Sequence, residues 1–321
     1  QTVARFSAAC YFFGRDLQKT VHVPVGLIHS SWAGANLTAF MSAKAMRQTG
    51  REDARLDTLK TYAADPAAAE KKWGKVVEAW WQSRLGTAPW KDPSASADWP
   101  VAPKDLGIWT QWKVPALENF AGHVWFRTSV TLTADEAKAA GEISLGTITE
   151  EDQTWINGHF VAATFGYGKK RSYALPSGLL HEGANDILVN VYCGWKGCGM
   201  FGPPEDRAIR LKNGTAVALA GPWHYRQVPA SVGTSPRLPW GDTAGLTMAY
   251  NAMIAPLGDY ALRGVVWYQG ESNTGDADGY RKLLRLWMAD WRGQFKDPKL
   301  PFLIVQLPDN GLPPLDRKGV V

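Results

Sequence analysis

The chain has 321 residues, 45% hydrophobic and 20% charged, enough to bury a sizeable core as one large or two ordinary domains. Its net charge is +5, but basic residues gather only in Lys169-Lys170-Arg171 and Lys71-Lys72. These are too short to track a phosphate backbone, so a nucleic-acid partner is excluded. No run of about 18 apolar residues occurs, so no segment reads as a membrane-spanning helix and no membrane partner is expected.

Three cysteines, Cys10, Cys193 and Cys198, are too few for a disulfide-rich scaffold. Cys193 and Cys198 suit either a pair across a short loop in an oxidising compartment or two buried free thiols. They do not make a zinc site, because no second Cys pair or His partner accompanies them. Sixteen tryptophans are many. Indole faces stack on sugar rings but also fill cores, so the count leans toward a saccharide-facing protein. The chain opens on Gln1 without a basic-plus-apolar leader, which suggests a removed leader or a start inside a longer protein.

In chain order, Val3, Phe6, Ala9, Cys10, Phe13 and Leu17 recur at helical spacing and predict a helix over 3–18. Residues 23–29 (V-P-V-G-L-I-H) read as a short strand, closed by a polar turn over 30–36. Leu56, Leu59, Tyr62, Trp73, Val76, Val77, Trp80 and Trp81 predict two helices broken at Pro66. Residues 87–103, rich in Pro, Ser, Ala and Asp, form a linker.

Short β-type segments follow at 109–112, 124–132, 142–145, 153–156, 159–163, 171–175 and 187–192. Asn157-Gly158 is a hairpin signal, and the spacing of the segments suggests a β-sandwich or jelly roll. Residues 246–257 predict a helix ended by Pro256. Residues 265–268 (V-V-W-Y) then read as a buried strand that stops at Gly270. Gln269, Glu271, Ser272 and Asn273 would sit past its carboxyl end, where open α/β sheets bind ligands, or simply cap the next helix. That helix carries Tyr280, Leu283, Leu284, Trp287, Met288 and Trp291 on one stripe, and residues 301–307 form another apolar strand.

The run W-Y-Q-G-E-S-N at 267–273 resembles the third conserved block of the sialate O-acetylesterase family, within the SGNH-type hydrolases. Residues 29–36 resemble its second block, N-S-S-W-G-G-T, with His29 where Asn is usual, Ala33 for the first Gly, and Gly34 keeping the second. W-F-R-T-S-V-T-L, T-W-I-N-G-H-F-V and L-P-S-G-L-L-H-E-G-A-N-D-I-L-V resemble a galactose-binding-like jelly roll, a module inserted in this family. The resemblance implies an α/β fold with a discontinuous SGNH-hydrolase-like parallel sheet, residues 1–49 with 245–321. Between these lie a helical segment and linker over 50–103, an inserted β-sandwich over 104–228, and a linker over 229–244.

The resemblance also implies a chemistry. A tetrahedral acyl intermediate needs donors aimed at its oxygen. Carried over by motif, those donors are the Gly34 backbone N–H and the Asn273 side-chain amide, with Gln269 and Glu271 contacting substrate or organising the loop. The family's nucleophile lies in an amino-terminal G-Q-S-N block and its base in a carboxyl-terminal D-x-x-H block. Neither block occurs in the 321 residues, and none of the six histidines follows an Asp by three positions. Gly270-Glu271-Ser272-Asn273-Thr274 lacks the second Gly of a nucleophile elbow. His29 and Ser30 are adjacent and point to opposite faces of an extended chain.

The expected protein is therefore a carbohydrate O-acetylesterase segment acting on sialic acid or other acetylated sugars. Its nucleophile and base would come from flanking sequence or another chain. It would need no metal or organic cofactor and would work in a secreted, periplasmic or lysosomal setting. A non-catalytic carbohydrate-binding protein on a degenerate esterase scaffold is the alternative from another class. An esterase with a nucleophile unlike the family's is the third.

Overall fold

A computed structural model of the chain describes residues 6–241, 245–274 and 276–308. Its helices are α1 (Ala8–Val21), α2 (Ala43–Arg47), α3 (Asp53–Ala64), α4 (Pro66–Leu85), α5 (Ala134–Ala139) and α6 (Ala277–Gln294). Its strands are β1 (Gly107–Ile108), β2 (Gly122–Leu132), β3 (Ala140–Ile148), β4 (Glu151–Ile156), β5 (His159–Phe165), β6 (Lys170–Ala174), β7 (Gly183–Cys193), β8 (Gly199–Phe201), β9 (Arg207–Leu211), β10 (Ala216–Ala218), β11 (His224–Gln227), β12 (Val265–Trp267) and β13 (Phe302–Ile304). The chain divides into two compact units, residues 1–52 with 243–321, and residues 53–242. It is mixed α/β, with mostly antiparallel sheets.

In the 53–242 unit, the break between α3 and α4 follows from Asp65-Pro66. Asp65 accepts the Ala68 N–H and Pro66 opens the helix, where its missing N–H costs nothing. Gly86, at φ 68°, ends α4 and donates its N–H to Gln82 O. One antiparallel sheet runs β11-β2-β7-β4-β5, and the other β1-β8-β3-β9-β10 with β6 also on β3. Val124, Phe126, Val189 and Val191 from the first share one buried core with Ile143, Leu145, Met200 and Ile209 from the second. The opposite face of β2 is buried as well, because α4 covers it: the Trp81 ring lies 4.8 Å from Trp125 and 4.9 Å from His123. That second cover explains why β2 loses the alternation of a half-exposed strand. At Gly74 a Cβ would come within 2.5 Å of Phe160 Cδ1, so only glycine lets α4 approach β5 this closely.

Several buried polar groups in this unit are held in networks. Arg171 pairs with Asp152, which also accepts the Tyr173 hydroxyl at 2.8 Å. Trp81 Nε1 donates to Gln153 Oε1 at 2.8 Å, and Gln153 Nε2 donates to Ser235 Oγ at 3.1 Å. Asn157 (φ 48°) and Gly158 (φ 80°) make the turn between β4 and β5 expected from the sequence. Cys193 and Cys198 form a disulfide, with Cα atoms 6.0 Å apart. Residues 109–112 depart from their predicted strand and turn as a 3₁₀ segment, Trp109–Gln111, after a two-residue ladder on β8.

In the other unit, β12 and β13 pair in parallel, Val265 opposite Phe302 through Trp267 opposite Ile304. The stripe on α6 behaves as predicted: Trp287 lies 4.2 Å from Trp267, 5.0 Å from Trp291 and 4.8 Å from Phe302. The helix predicted over 3–18 appears as α1, with residues 1–5 outside the described residues. Residues 23–29 form no strand; Val23 and Ile28 are exposed. A strand is a pairing and not only a run of β-branched residues, and no described neighbour pairs with this run. The segment predicted as a helix before β12 winds as a π turn, Tyr250–Ile254, then a 3₁₀ turn holding Pro256. Among the described residues, no helix is long and apolar enough to cross a membrane.

Candidate functional site

The site begins where β12 ends. Gly270 sits at φ 157°, and a Cβ there would come within 2.9 Å of Leu307 Cδ1, so the backbone can turn here only as glycine. The turn Glu271–Asn273 follows, closed by the Asn273 N–H donating to Gly270 O at 2.8 Å. Two donors converge on the Asn273 carboxamide oxygen: the backbone N–H of Leu37 at 3.2 Å and Gln269 Nε2 at 2.9 Å. A backbone N–H needs an oxygen, so Leu37 fixes which way this amide faces. Its Nδ2 group, the only donor on the side chain, has no hydrogen-bond acceptor among the described residues.

Gln269 is fixed by the same logic. Its Nε2 also donates to Ala35 O at 3.0 Å, which leaves its Oε1 as an acceptor, and the Tyr280 hydroxyl proton is shared between that Oε1 at 3.2 Å and the Gln269 backbone O at 3.0 Å. Trp267 Nε1 in turn donates to the Tyr280 oxygen at 3.2 Å. Burial raises the Tyr280 pKa, which keeps this hydroxyl a neutral donor. The chain Trp267–Tyr280–Gln269–Asn273–Leu37 therefore ties β12, α6 and the segment after residue 34 into one polar lattice.

Gly34 is drawn to the same place from the other side. Ser272 Oγ donates to Gly34 O at 2.9 Å, and Gly34 holds φ 73°, a conformation that favours glycine. Glu271 behaves differently: its Oε2 accepts the Gly270 N–H at 3.1 Å and the residue is exposed. Of the residues named from sequence, Gln269 and Asn273 share a direct hydrogen bond, Gly34 joins through Ser272, and Glu271 is turned back on its own loop.

Two partners escaped the sequence reading. Tyr280 stood out only as part of the α6 stripe, and the Leu37 N–H carries no residue-type signal at all. A third point concerns His29, whose Nε2 hydrogen-bonds Ser31 Oγ. Residues two apart share a face of an extended chain, so the pairing that fails for Ser30 succeeds for Ser31. Among the described residues no carboxylate hydrogen-bonds to His29, so this pair lacks the acid that orients a catalytic base.

Glu150, Cys193 and Cys198 are grouped closely enough to suggest a metal site. The residues do not fit one. Both sulfurs are spent in the disulfide, and the Glu150 carboxylate takes the Gly194 N–H at 2.7 Å and Arg237 at 3.3 Å.

Residues 227–318 match the family model described as carbohydrate esterase, sialic acid-specific acetylesterase, a stretch that includes the whole of the turn after β12. This part of the chain is therefore similar to carbohydrate esterases. Mouse sialate O-acetylesterase is 28% identical over 187 residues, 52% of this chain and 31% of that protein. The rat enzyme is 27% identical over 166 residues, 49% and 28%, and the human one 43% over 44 residues, 14% and 8%. At family level the chain is similar to the sialate O-acetylesterases, and the matched region spans under a third of these curated relatives. A solved β-glucuronidase from Ruminococcus gnavus aligns with a TM-score of 0.29 at 15% identity, over 35% of this chain and 18% of that one. That likeness is too partial to bear on fold or function.

Proposed function

We propose that the chain is the oxyanion-binding and scaffold part of a carbohydrate O-acetylesterase, working by acyl transfer. In this reading a Ser hydroxyl, supplied by flanking sequence or another chain, attacks the acetyl carbonyl while its proton passes to a His base. The carbonyl oxygen gains the displaced electron pair and becomes the oxyanion held by Asn273 Nδ2 and the Gly34 N–H. Collapse expels the sugar hydroxyl with the proton from His, and water then releases acetate from the acyl-Ser. The carrying observation is the Asn273 carboxamide: its oxygen is held by Leu37 and Gln269, so its N–H₂ is prepaid in orientation. A donor fixed before the reaction spends nothing on reorganising during it.

The finer fold reading belongs to the same proposal. The β12–β13 ladder is taken as part of an SGNH-like parallel sheet built from 1–49 and 245–321, and the antiparallel pair of sheets as an inserted jelly roll over 104–228. The Cys193–Cys198 disulfide supports a secreted, periplasmic or lysosomal setting. The test is acetate release from p-nitrophenyl acetate and an O-acetylated sialic acid, by the 321-residue chain and by a form extended at both ends. Activity only in the extended form, cut about 10²-fold or more by Asn273→Ala, supports the reading. Undiminished activity in Asn273→Ala overturns the oxyanion role, and full activity of the short chain overturns the division of labour.

A further inference from the structure

Among the large apolar side chains of residues 53–241, only Val101, Tyr167 and Trp195 stand exposed. Tyr167 and Trp195 come from different loops, β5–β6 and β7–β8, yet their rings stack 5.7 Å apart with planes 29° from parallel. Tyr167 is 69% exposed and Trp195 43%. In a unit where no other Trp, Tyr or Phe ring is exposed among the described residues, an exposed pair calls for a reason.

The indole is held in place. The disulfide closes its loop, and the Gly194 N–H donates to Glu150 Oε2 at 2.7 Å. Arg237 braces Glu150 while lying over the Phe165 and Tyr192 rings, at 5.7 and 5.6 Å. At Gly197 (φ 108°) a Cβ would come within 2.9 Å of Trp195 Cζ3, so the ring lies against bare backbone. Beside it, Lys196 Nζ donates to Asn119 Oδ1 at 2.7 Å. The ammonium has further protons to give, as has the Asn119 amide.

We infer that Tyr167 and Trp195 form a saccharide-binding platform, on which a pyranose ring stacks its C–H face while Lys196 and Asn119 meet its hydroxyl or carboxylate groups. Two rings offer far less than the roughly 1,000 Å² a stable protein partner requires, but suit a single sugar unit with a polar rim. A loop fixed in advance lowers the ordering cost that weak sugar contacts must overcome. The platform lies wholly within residues 53–242 and does not depend on the esterase reading.

The test is saturation-transfer NMR and calorimetry of the 321-residue chain with sialyllactose, trigalacturonate and xylotriose, read on uncleaved sugar so that esterase activity has no bearing. At least one of the three is expected to bind. Trp195→Ala and Tyr167→Ala should each weaken it about tenfold, Trp195→Phe should retain most of the binding, and the thermal unfolding midpoint should be little changed. Absence of binding to all three overturns the platform. Binding that both alanine variants retain overturns it equally, because the sugar would then sit elsewhere.

Discussion

Ser42 and Asp290 are joined twice: the Ser42 backbone N–H donates to Oδ2 at 2.7 Å and its hydroxyl to Oδ1 at 2.6 Å. The same Ser42 hydroxyl also accepts the Ala45 N–H at the start of α2. One carboxylate on α6 thus anchors the segment that carries Leu37, whose N–H orients Asn273. Asp290→Ala leaves two partly buried donors without an acceptor and should cost about 1–3 kcal/mol of stability, measured by urea unfolding. In an extended, active form it should also lower kcat. An unchanged unfolding midpoint would refute the anchoring.

Tyr280→Phe removes the hydroxyl that links Trp267 to Gln269 without altering the ring. Gln269 then loses the donor to its Oε1, and its hold on Asn273 loosens. The expected outcome in the extended form is a fall in kcat of about tenfold with little change in KM, because only a transition-state contact is disturbed. Gln269→Leu should fall further, since it removes the bond to Asn273 itself. A rise in KM alone would mean that these residues contact substrate instead.

Stability of the 53–242 unit should depend on pH in two opposed ways. Burial pushes the His123 imidazole down to about 4 from an ordinary 6.5. Its Nε2 accepts the Ser235 N–H at 3.0 Å, so the folded ring is neutral and its Nδ1–H donates to Asn190 at 2.7 Å. The unfolded chain binds the extra proton first, so stability falls as pH drops from about 6.5 to about 4. Burial pushes the Glu151 carboxyl up to about 8 from 4.5, against the pull of Arg237 and the Leu238 N–H. Here the folded state keeps the proton longer, so stability falls as pH rises from about 4.5 to about 8. Thermal melts across this range should show a plateau between about 4.5 and 6.5, where the two slopes cancel. Glu151→Gln, which keeps an acceptor for Leu238, should flatten the alkaline limb and turn the plateau into a rise with pH, because the His123 slope is then no longer cancelled.

Reducing the Cys193–Cys198 bond opens a five-residue separation. By chain entropy a loop this short accounts for about 2 kcal/mol. Reduction, or a Cys193→Ala/Cys198→Ala double variant, should lower the unfolding free energy by about that amount, and calorimetry with and without reductant measures it. No loss would mean that Glu150 alone holds the loop.

Much of this was legible wherever a pattern is local. The α6 stripe, the Asp65-Pro66 break and the Asn157-Gly158 turn each rest on residues a few positions apart, and the structure keeps all three. The strands β8 to β11 were not read, because segments of three to five residues carry too little periodicity. Residues 23–29 have strand composition without a strand, since pairing is a long-range matter. The same limit governs the site. Gly34, Gln269 and Asn273 stand out in the sequence by type, but the Leu37–Asn273 and Ser272–Gly34 bonds join positions more than 230 apart, and nothing in either segment announces the other.

The indoles of Trp267, Trp287 and Trp291 lie within 4.2 to 6.2 Å of one another. Those of Trp81, Trp125, Trp155 and Trp90 form a chain with neighbours 4.8 to 5.5 Å apart. Chromophores at such range share their excited states, so each cluster should give its own exciton band in circular dichroism. The first belongs to the unit that holds Asn273 and the second to residues 53–242. The molecule thus carries two optical reporters, and replacing Trp287 or Trp125 by Phe should weaken one band at a time. Melting could then be followed separately in each half without attaching a label.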